Sequence, residues 1–373
     1  MKYPQKSLLD ICTVSTGKRD ANHATINGRY PFYTCAEIPL KADTFSFNGE
    51  CIILPGNGAN VGLVLYYNGD FEAYQRTYIL HNFNSQVNPR YVYYNLVKDW
   101  KIKNSNFQYG SATNYIRMQN FEEYKIPLPS LSEQNHIIDI LDKADAIRQK
   151  RQQAIKLADE FLRSVFLDMF GNPVTNPKGW PLGVIRELVS EVKYGTSKKA
   201  SSDQKQFPII RMNNITYSGE MDFTDLKYID LDNKEQENCL AKKGDLLFNR
   251  TNSKELVGKT AVNEKDTPMA IAGYLIRVRT NEKANPYYIS AYLNSKHGKA
   301  TLMGMCKNII GMANINAQEL QDIKILIPPV ALQDKYAQIA QQVAKRKKRQ
   351  IEMVELGNNL FNVLSQRAFR GEL

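Results

Sequence analysis

A stretch of forty-five residues lies without a gap over a second, similar stretch of the same chain, and that self-similarity constrains the fold more than any other feature. Ile126 to Phe170 lies over Ile325 to Phe369 at an offset of 199 positions, with Pro129 on Pro328, Gln134 on Gln333, Leu157 on Leu356 and Phe170 on Phe369. A fixed internal period means one structural module used twice. In the first copy, alternate steps of four and three residues meet Ile137, Leu141, Ala144, Arg148, Arg151, Ile155, Ala158, Leu162, Val165 and Met169, of which eight are apolar. A 3.5-residue repeat with no Gly or Pro before Gly171 predicts one long helix with a narrow coiled-coil seam. Ser132 is the expected N-cap, Glu133 adds negative charge to the first turn, and Gly171 with Pro173 supplies the stop. The second seam is Tyr336, Ala340, Val343, Lys347, Gln350, Val354, Gly357, Phe361, Leu364 and Ala368. Both stripes turn polar at the same central place, so they agree even in the defect.

The segments before the helices correspond too. Tyr3-Pro4 recurs as Trp180-Pro181, Gly17 as Gly195, Pro31 as Pro208, Gly49 to Ile53 as Gly244 to Phe248, and Asn88 to Tyr91 as Asn285 to Tyr288. The offset grows from 177 to 199 along the way, as loop insertions in a shared scaffold would make it. The expected organisation is a first domain at 1 to 130, a helix at 131 to 171, a second domain at 172 to 329 and a helix at 330 to 373. Within the first domain Ile52-Ile53-Leu54, Val61 to Tyr67 and Thr77 to Leu80 predict strands in a hairpin or meander, separated by Pro55-Gly56-Asn57-Gly58 and Asn68-Gly69 turns. Asn88 to Asp99 predicts a short helix. Leu246-Leu247-Phe248, Leu275 to Val278 and the helix Pro286 to Leu293 repeat that order. Each domain is therefore α+β with a mostly antiparallel sheet.

These same residues resemble the specificity subunit of a type I restriction-modification system, over the full length of the chain. The family's pattern before each helix, roughly I-P-L-P-P-L-x-E-Q, is met by Ile126-Pro127-Leu128-Pro129-Ser130-Leu131-Ser132-Glu133-Gln134. The second copy, Ile325 to Gln333, keeps Pro328-Pro329 and the Gln but carries Leu332 in place of the acid. A "G-D-I-L-x-x-R" element is matched by Gly244 to Arg250 and more weakly by Gly49 to Pro55, and Phe369-Arg370-Gly371-Glu372-Leu373 is similar to the family's ending. The resemblance implies two similar α/β target recognition domains separated by two long antiparallel coiled-coil helices, a pseudo-two-fold internal repeat. It also implies double-stranded DNA, methyltransferase (modification) subunits and a restriction/translocase subunit as partners. S-adenosylmethionine and ATP chemistry would belong to those partners, and no cofactor is expected on this chain.

Physical argument points the same way. A helix of about 38 residues at ~1.5 Å each spans ~57 Å and can act as a ruler; two readers of one duplex then predict a split target with unread bases between its parts. Forty-nine Lys and Arg against 38 Asp and Glu give +11, which favours a polyanionic partner through phosphate contacts. Base readers are polar side chains on loops. In the first domain the candidates are Lys18, Arg19, Asn57, Asn60, Gln75, Arg76, Gln108, Ser111, Thr113 and Asn114. In the second they are Thr196, Lys198, Lys199, Arg211, Asn213, Asn214, Arg250, Thr251, Asn252, Lys254 and Lys259; for each, an ordinary solvated loop residue is the competing reading. Arg148, Arg151 and Lys347 would bring like charges together in the seam. Either the stripe drifts onto Ile147 and Ala154 while the cations snorkel into solvent, or the place docks acids or phosphate from another molecule. Lys345 to Arg349 is a solvated face by default and otherwise a contact for a partner or DNA.

Catalysis is the rival class, as a stand-alone nuclease or a fused DNA-modification enzyme; a helical scaffold binding only protein is the third. Ile327-Pro328-Pro329-Val330 lacks both ends of the N-P-P-[FY] tetrapeptide of an adenine methyltransferase. Gly56, Gly58 and Gly62 miss the spacing of a cofactor loop and read as a turn. Glu191-Val192-Lys193 fits half of a nuclease triplet without a placed second acid. His23, His81, His136 and His297 are scattered, and the five cysteines form no C-x-x-C pair. The expectation is a non-catalytic DNA reader with no metal site. With no apolar run of membrane length and no apolar region after Met1, a reducing, cytoplasmic location is expected.

Overall fold

The computed structural model describes residues 3–104, 114–306 and 312–373. The chain forms two compact units, Met1–Gln152 with Ile351–Leu373, and Gln153–Gln350. Unit 1 holds strands β1 (Gln5–Ser7), β2 (Thr13–Thr16), β3 (Tyr30–Tyr33), β4 (Leu40–Ala42), β5 (Glu50–Pro55), β6 (Leu65–Asn68), β7 (Glu72–Ala73), β8 (Thr77–His81) and β9 (Lys125–Pro127). Its helices are α1 (Leu8–Ile11), α2 (Pro89–Asn104), α3 (Met118–Glu123) and the first part of α4 (Leu131–Phe170). Unit 2 holds β10 (Leu182–Val184), β11 (Val189–Tyr194), β12 (Phe207–Ile210), β13 (Lys227–Ile229), β14 (Leu240–Ala241), β15 (Leu246–Asn249), β16 (Thr251–Asn252), β17 (Thr260–Val262), β18 (Met269–Ile271), β19 (Leu275–Thr280), β20 (Ala313–Asn314) and β21 (Lys324–Leu326). With them go α5 (Asn233–Cys239), α6 (Pro286–Asn294), α7 (Lys296–Met305), α8 (Ala317–Gln321) and the first part of α9 (Val330–Arg370).

The sheets repeat. An antiparallel sheet ordered β2-β8-β5-β6 in unit 1 has its counterpart in β11-β19-β15-β17, and β4-β3-β7 corresponds to β13-β12-β18-β14. Even the exception recurs, because β3–β7 and β12–β18 are the parallel pairs. The central strand is covered on both sides: Ile52 and Leu54 join the core made with α2 and the long helices, while Ile53 and Cys51 face Tyr33, Phe71 and Ala73 of the smaller sheet. That is why β5 reads as an unbroken apolar run instead of an alternating one. Gly17 and Gly195 mark the same close approach, since an added Cβ would lie 2.1 Å from the Ala73 carbonyl oxygen and 2.2 Å from that of Ile271.

Three local expectations change. The strand foreseen at Val61 to Tyr67 is confined to Leu65–Asn68, because the Val61 and Leu63 amides close turns onto the carbonyls of Gly58 and Asn60. Helix α2 continues past Asp99 to Asn104, carried by Trp100, which is fully buried against Phe121 and Tyr124. The cap of α4 is Ser130, not Ser132: its Oγ accepts from the Glu133 amide at 3.3 Å while the Glu133 carboxylate accepts from the Ser130 amide at 3.2 Å. That reciprocal pair satisfies two otherwise orphaned donors.

Each sheet domain is joined to its helices by the same device. Gln134 is fully buried; its Oε1 accepts from the Asn88 amide at 2.9 Å and its Nε2 donates to the carbonyls of Gln86 and Pro129. Gln333 does the same with the Asn285 amide, Lys283 and Pro328. Beside these clamps Tyr91 packs on Phe369 at 5.2 Å in unit 1, and Tyr288 on Phe170 at 4.7 Å in unit 2. In unit 1 the contacts of Arg151 with Met353 and of Arg148 with Phe361 show the two helical segments running antiparallel, as do Asp159 with Lys347 and Phe166 with Tyr336 in unit 2.

The polar centre of the seam is neutralised within the chain. Lys347 is buried, and its Nζ lies 2.6 Å from Asp159 and 2.9 Å from Glu220. Burial pushes its pKa down, but the hydrogen bonds to the two carboxylates outweigh that and hold it above the usual lysine range. Arg148 pairs with Asp145 and lies 4.8 Å over the Phe361 ring, and Arg151 donates to the Met353 carbonyl at 3.0 Å. Snorkelling and capture of an outside acid are both displaced for Lys347 by acids already present; Lys345, Arg346, Lys348 and Arg349 stay exposed.

Candidate nucleic-acid interface

In unit 1 the backbone ties the candidate loops together at one end of the larger sheet. The Gly56 amide donates to the Arg76 carbonyl, the Ile116 amide to Gly56, and the Gly58 amide to Asn114, all within 2.9 to 3.0 Å. They frame a concavity of about 370 Å³ whose walls include Thr16, Asn57, Gln75, Arg76, Tyr78 and Tyr115. Gln75 is exposed and its Nε2 donates to Asp20 at 2.7 Å, while its amide holds the Arg19 carbonyl at 2.9 Å. Asn57 accepts from the Cys35 thiol at 3.0 Å, and Asn60 donates to the Cys35 carbonyl at 2.8 Å. Lys18 and Arg76 stand exposed on the same rim, and Asn114 is half-buried. Gln108, Ser111 and Thr113 lie outside the described residues.

Unit 2 sorts its candidates more sharply. Four are buried. Thr196 pairs through its amide with Ile271, Asn214 donates to the carbonyls of Asp222 and Asp225, Thr251 sits in the short β16–β20 pair, and Lys259 donates to the Met212 carbonyl at 2.8 Å. Burial pulls the Lys259 amine below the usual lysine range. Arg211 is ion-paired with Asp225 at 2.8 Å and Lys198 with Glu235 at 2.5 Å, which raises the Lys198 pKa. Lys199, Asn213 and Lys254 are exposed, and Asn252 is half-buried. Arg250 lies 4.9 Å over the Tyr194 ring and reaches the Gly273 carbonyl at 3.4 Å.

The two sets meet at equivalent places, because the Asn57–Tyr115 bridge of unit 1 matches the Thr251–Asn314 pair of unit 2; the pairings Ile52–Leu80 and Leu246–Val278 set the central strands one residue off the correspondence of Gly49 with Gly244 read from the sequence. The aromatic members of these rims, Tyr78, Tyr115 and Tyr194, were not among the candidates; an aromatic beside a turn glycine, as in Tyr194-Gly195, is the signal that could have raised them. The nuclease-like triplet is otherwise engaged. Glu191 bonds Lys193, Arg277 and Arg279 on the sheet face, and the hydrogen bond from Lys193 leads the causes that lower its pKa. Among the described residues no helix is long and apolar enough to cross a membrane.

Two copies of one α+β module, each with a buried helix joint and a rim of amide, guanidinium and phenol groups, define a tandem-repeat protein whose two loop edges differ in side chains. The chain belongs to the type I restriction modification DNA specificity domain family, whose model matches residues 2–157 and 177–355. It is 26% identical over 295 residues to the EcoKI specificity subunit of Escherichia coli K12, covering 74% of this chain and 63% of that one. It is 31% identical over 175 residues to the EcoDI specificity subunit of Escherichia coli, covering 46% and 38%. The chain thus spans less than two thirds of the length of these curated relatives. In fold it is similar to the S subunit of M. genitalium, with a TM-score of 0.65 at 15% identity over 99% of this chain and 96% of that one. A chain from a structure concerning complex assembly and conformational transition of the type I R-M system gives a TM-score of 0.56 at 17% identity, covering both chains in full.

Proposed function

We propose that the chain is the sequence-specific DNA-recognition subunit of a type I restriction-modification enzyme. The observation that carries the reading is the rim built twice on one topology with different side chains, which suits two short target elements of different sequence. Residues 1 to 130 and 172 to 329 are the target recognition domains, and 131 to 171 and 330 to 373 are the helical spacers. Lys18, Arg19, Asn57, Gln75 and Arg76 would contact one element; Lys199, Asn213, Arg250, Asn252 and Lys254 would contact the other. The buried Thr196, Asn214, Thr251 and Lys259 would hold their loops in place. Methyltransferase and restriction/translocase subunits are the protein partners and carry the chemistry, in the cytoplasm.

The test is the genome-wide methylation motif of the host strain with and without the gene. A two-part motif that disappears with the gene is expected. Four residues inserted after Gln152 and four after Gln350 add ~6 Å to each helix and should widen the unread spacer by about two base pairs of ~3.4 Å. A motif with unchanged spacing sinks the ruler, and methylation or cutting by the chain alone sinks the non-catalytic reading.

A further inference from the structure

Glu72 is the least expected side chain of unit 1, a fully buried carboxylate in the short strand β7. An ion there is tolerable only if its lone pairs are filled. Its Oε1 accepts from the Ala73 amide at 3.0 Å, and its Oε2 accepts from Ser46 at 2.9 Å, Thr44 at 3.4 Å and the Arg19 Nε at 3.3 Å. The Arg19 backbone is fixed as well, bridged to Tyr74 and bonded by the Gln75 amide. Yet the Arg19 side chain remains 44% exposed, and among the described residues nothing bonds its two terminal nitrogens. A guanidinium held by Nε from behind presents those two nitrogens as a rigid fork, the geometry that matches O6 and N7 of guanine in the major groove.

Among the described residues unit 2 has no such device at the matching place. The positions matching Arg19 and Glu72 by strand register are Thr196 and Ala270, so the fork belongs to one half only. We infer that Arg19 reads a guanine in the target element of the first domain and that Glu72 is its positioning residue. This rests on the DNA-recognition reading above and adds to it which base class the first domain takes, and through which side chain.

The assignment is tested on the complex isolated from the host, using duplexes that carry the methylation motif or a single-base change at each position. Arg19→Ala should abolish discrimination at one guanine of one element, a loss of about ten- to hundred-fold there, and leave the other element unaffected. Arg19→Lys keeps the charge and should lose the same discrimination, because an ammonium cannot make the paired contact. Glu72→Gln retains an acceptor and should give a smaller loss at the same position, without change elsewhere in the motif. Uniform weakening on every duplex in Arg19→Ala, restored by Arg19→Lys, would make Arg19 a phosphate contact and overturn the assignment; so would an unchanged motif in both. A wild-type complex with no sequence preference would overturn the recognition reading itself, and this assignment with it.

Discussion

The joints and the rims of the two units have diverged to different degrees. At the joints the copies agree atom for atom: a buried glutamine, a tyrosine whose hydroxyl donates at 2.7 Å to the carbonyl of Pro127 or Leu326, and a phenylalanine from the far end of a long helix. At the rims the place of Arg19 on Glu72 is taken by Thr196 and Ala270 in the second copy, and that of the stacked Arg250 on Tyr194 by Gly56 in the first. A packed joint tolerates few substitutions because neighbours must move with it, whereas a solvated loop changes one side chain at a time. The contrast therefore separates what holds the module together from the edges that the proposed DNA recognition would use.

The strongest way to break the comparison is through the phenylalanines. Phe170→Ala should cost about 3–5 kcal/mol by leaving a cavity under Tyr288. Phe369→Ala, slightly more exposed, should cost about 2–4 kcal/mol under Tyr91. Hydrogen exchange should localise the loosening to unit 2 in the first case and unit 1 in the second; the reverse assignment would mean the joints are not equivalent. The polar centre comes next. Lys347→Ala removes the shared partner of Asp159 and Glu220, both about one-third exposed, and should cost roughly 1–3 kcal/mol after allowing for solvent screening. Arg148→Ala, at the matching position, should cost about 0–1 kcal/mol, since its partner is a neighbour on the same helix turn. Equal losses in denaturant melts would erase the distinction.

A further difference is a pH dependence carried by a half-buried lysine of unit 2. Burial, with Lys259 nearby, pulls the Lys299 pKa down to about 8 from an ordinary 10.5, and its Nζ lies over the Tyr217 ring. The folded state then binds fewer protons than the unfolded one between these values, so stability should rise with pH across about 8 to 10.5. Lys299→Met should flatten that rise and raise the melting temperature at pH 7 more than at pH 10.

Much of the scaffold was legible because the repeat covers both helices and their approach segments in one register, so that each reading could be checked against its copy. The doubled glycines, the turn at Asn88-Pro89 and the matched polar break needed no coordinates. The candidate rim was legible as loops and less so as residues. Lys259 and Asn214 look like their exposed neighbours in sequence, but the polar groups they satisfy, the Met212 and Asp222 carbonyls, come from elsewhere in the fold. Glu72 was invisible for the same reason, its side-chain donors lying 26 to 53 residues away.

Sequence alone determined that one module occurs twice, that each copy ends in a long helix, and that amide-rich and basic loops punctuate the strands, because periodicity and turn chemistry are local properties of the chain. Tertiary structure alone decided which helix end packs on which sheet, where the seam's buried lysine finds its acids, and which of many similar polar loop residues face outward. Those outcomes depend on partners distant in the chain, and burial and pairing are set only when such partners meet.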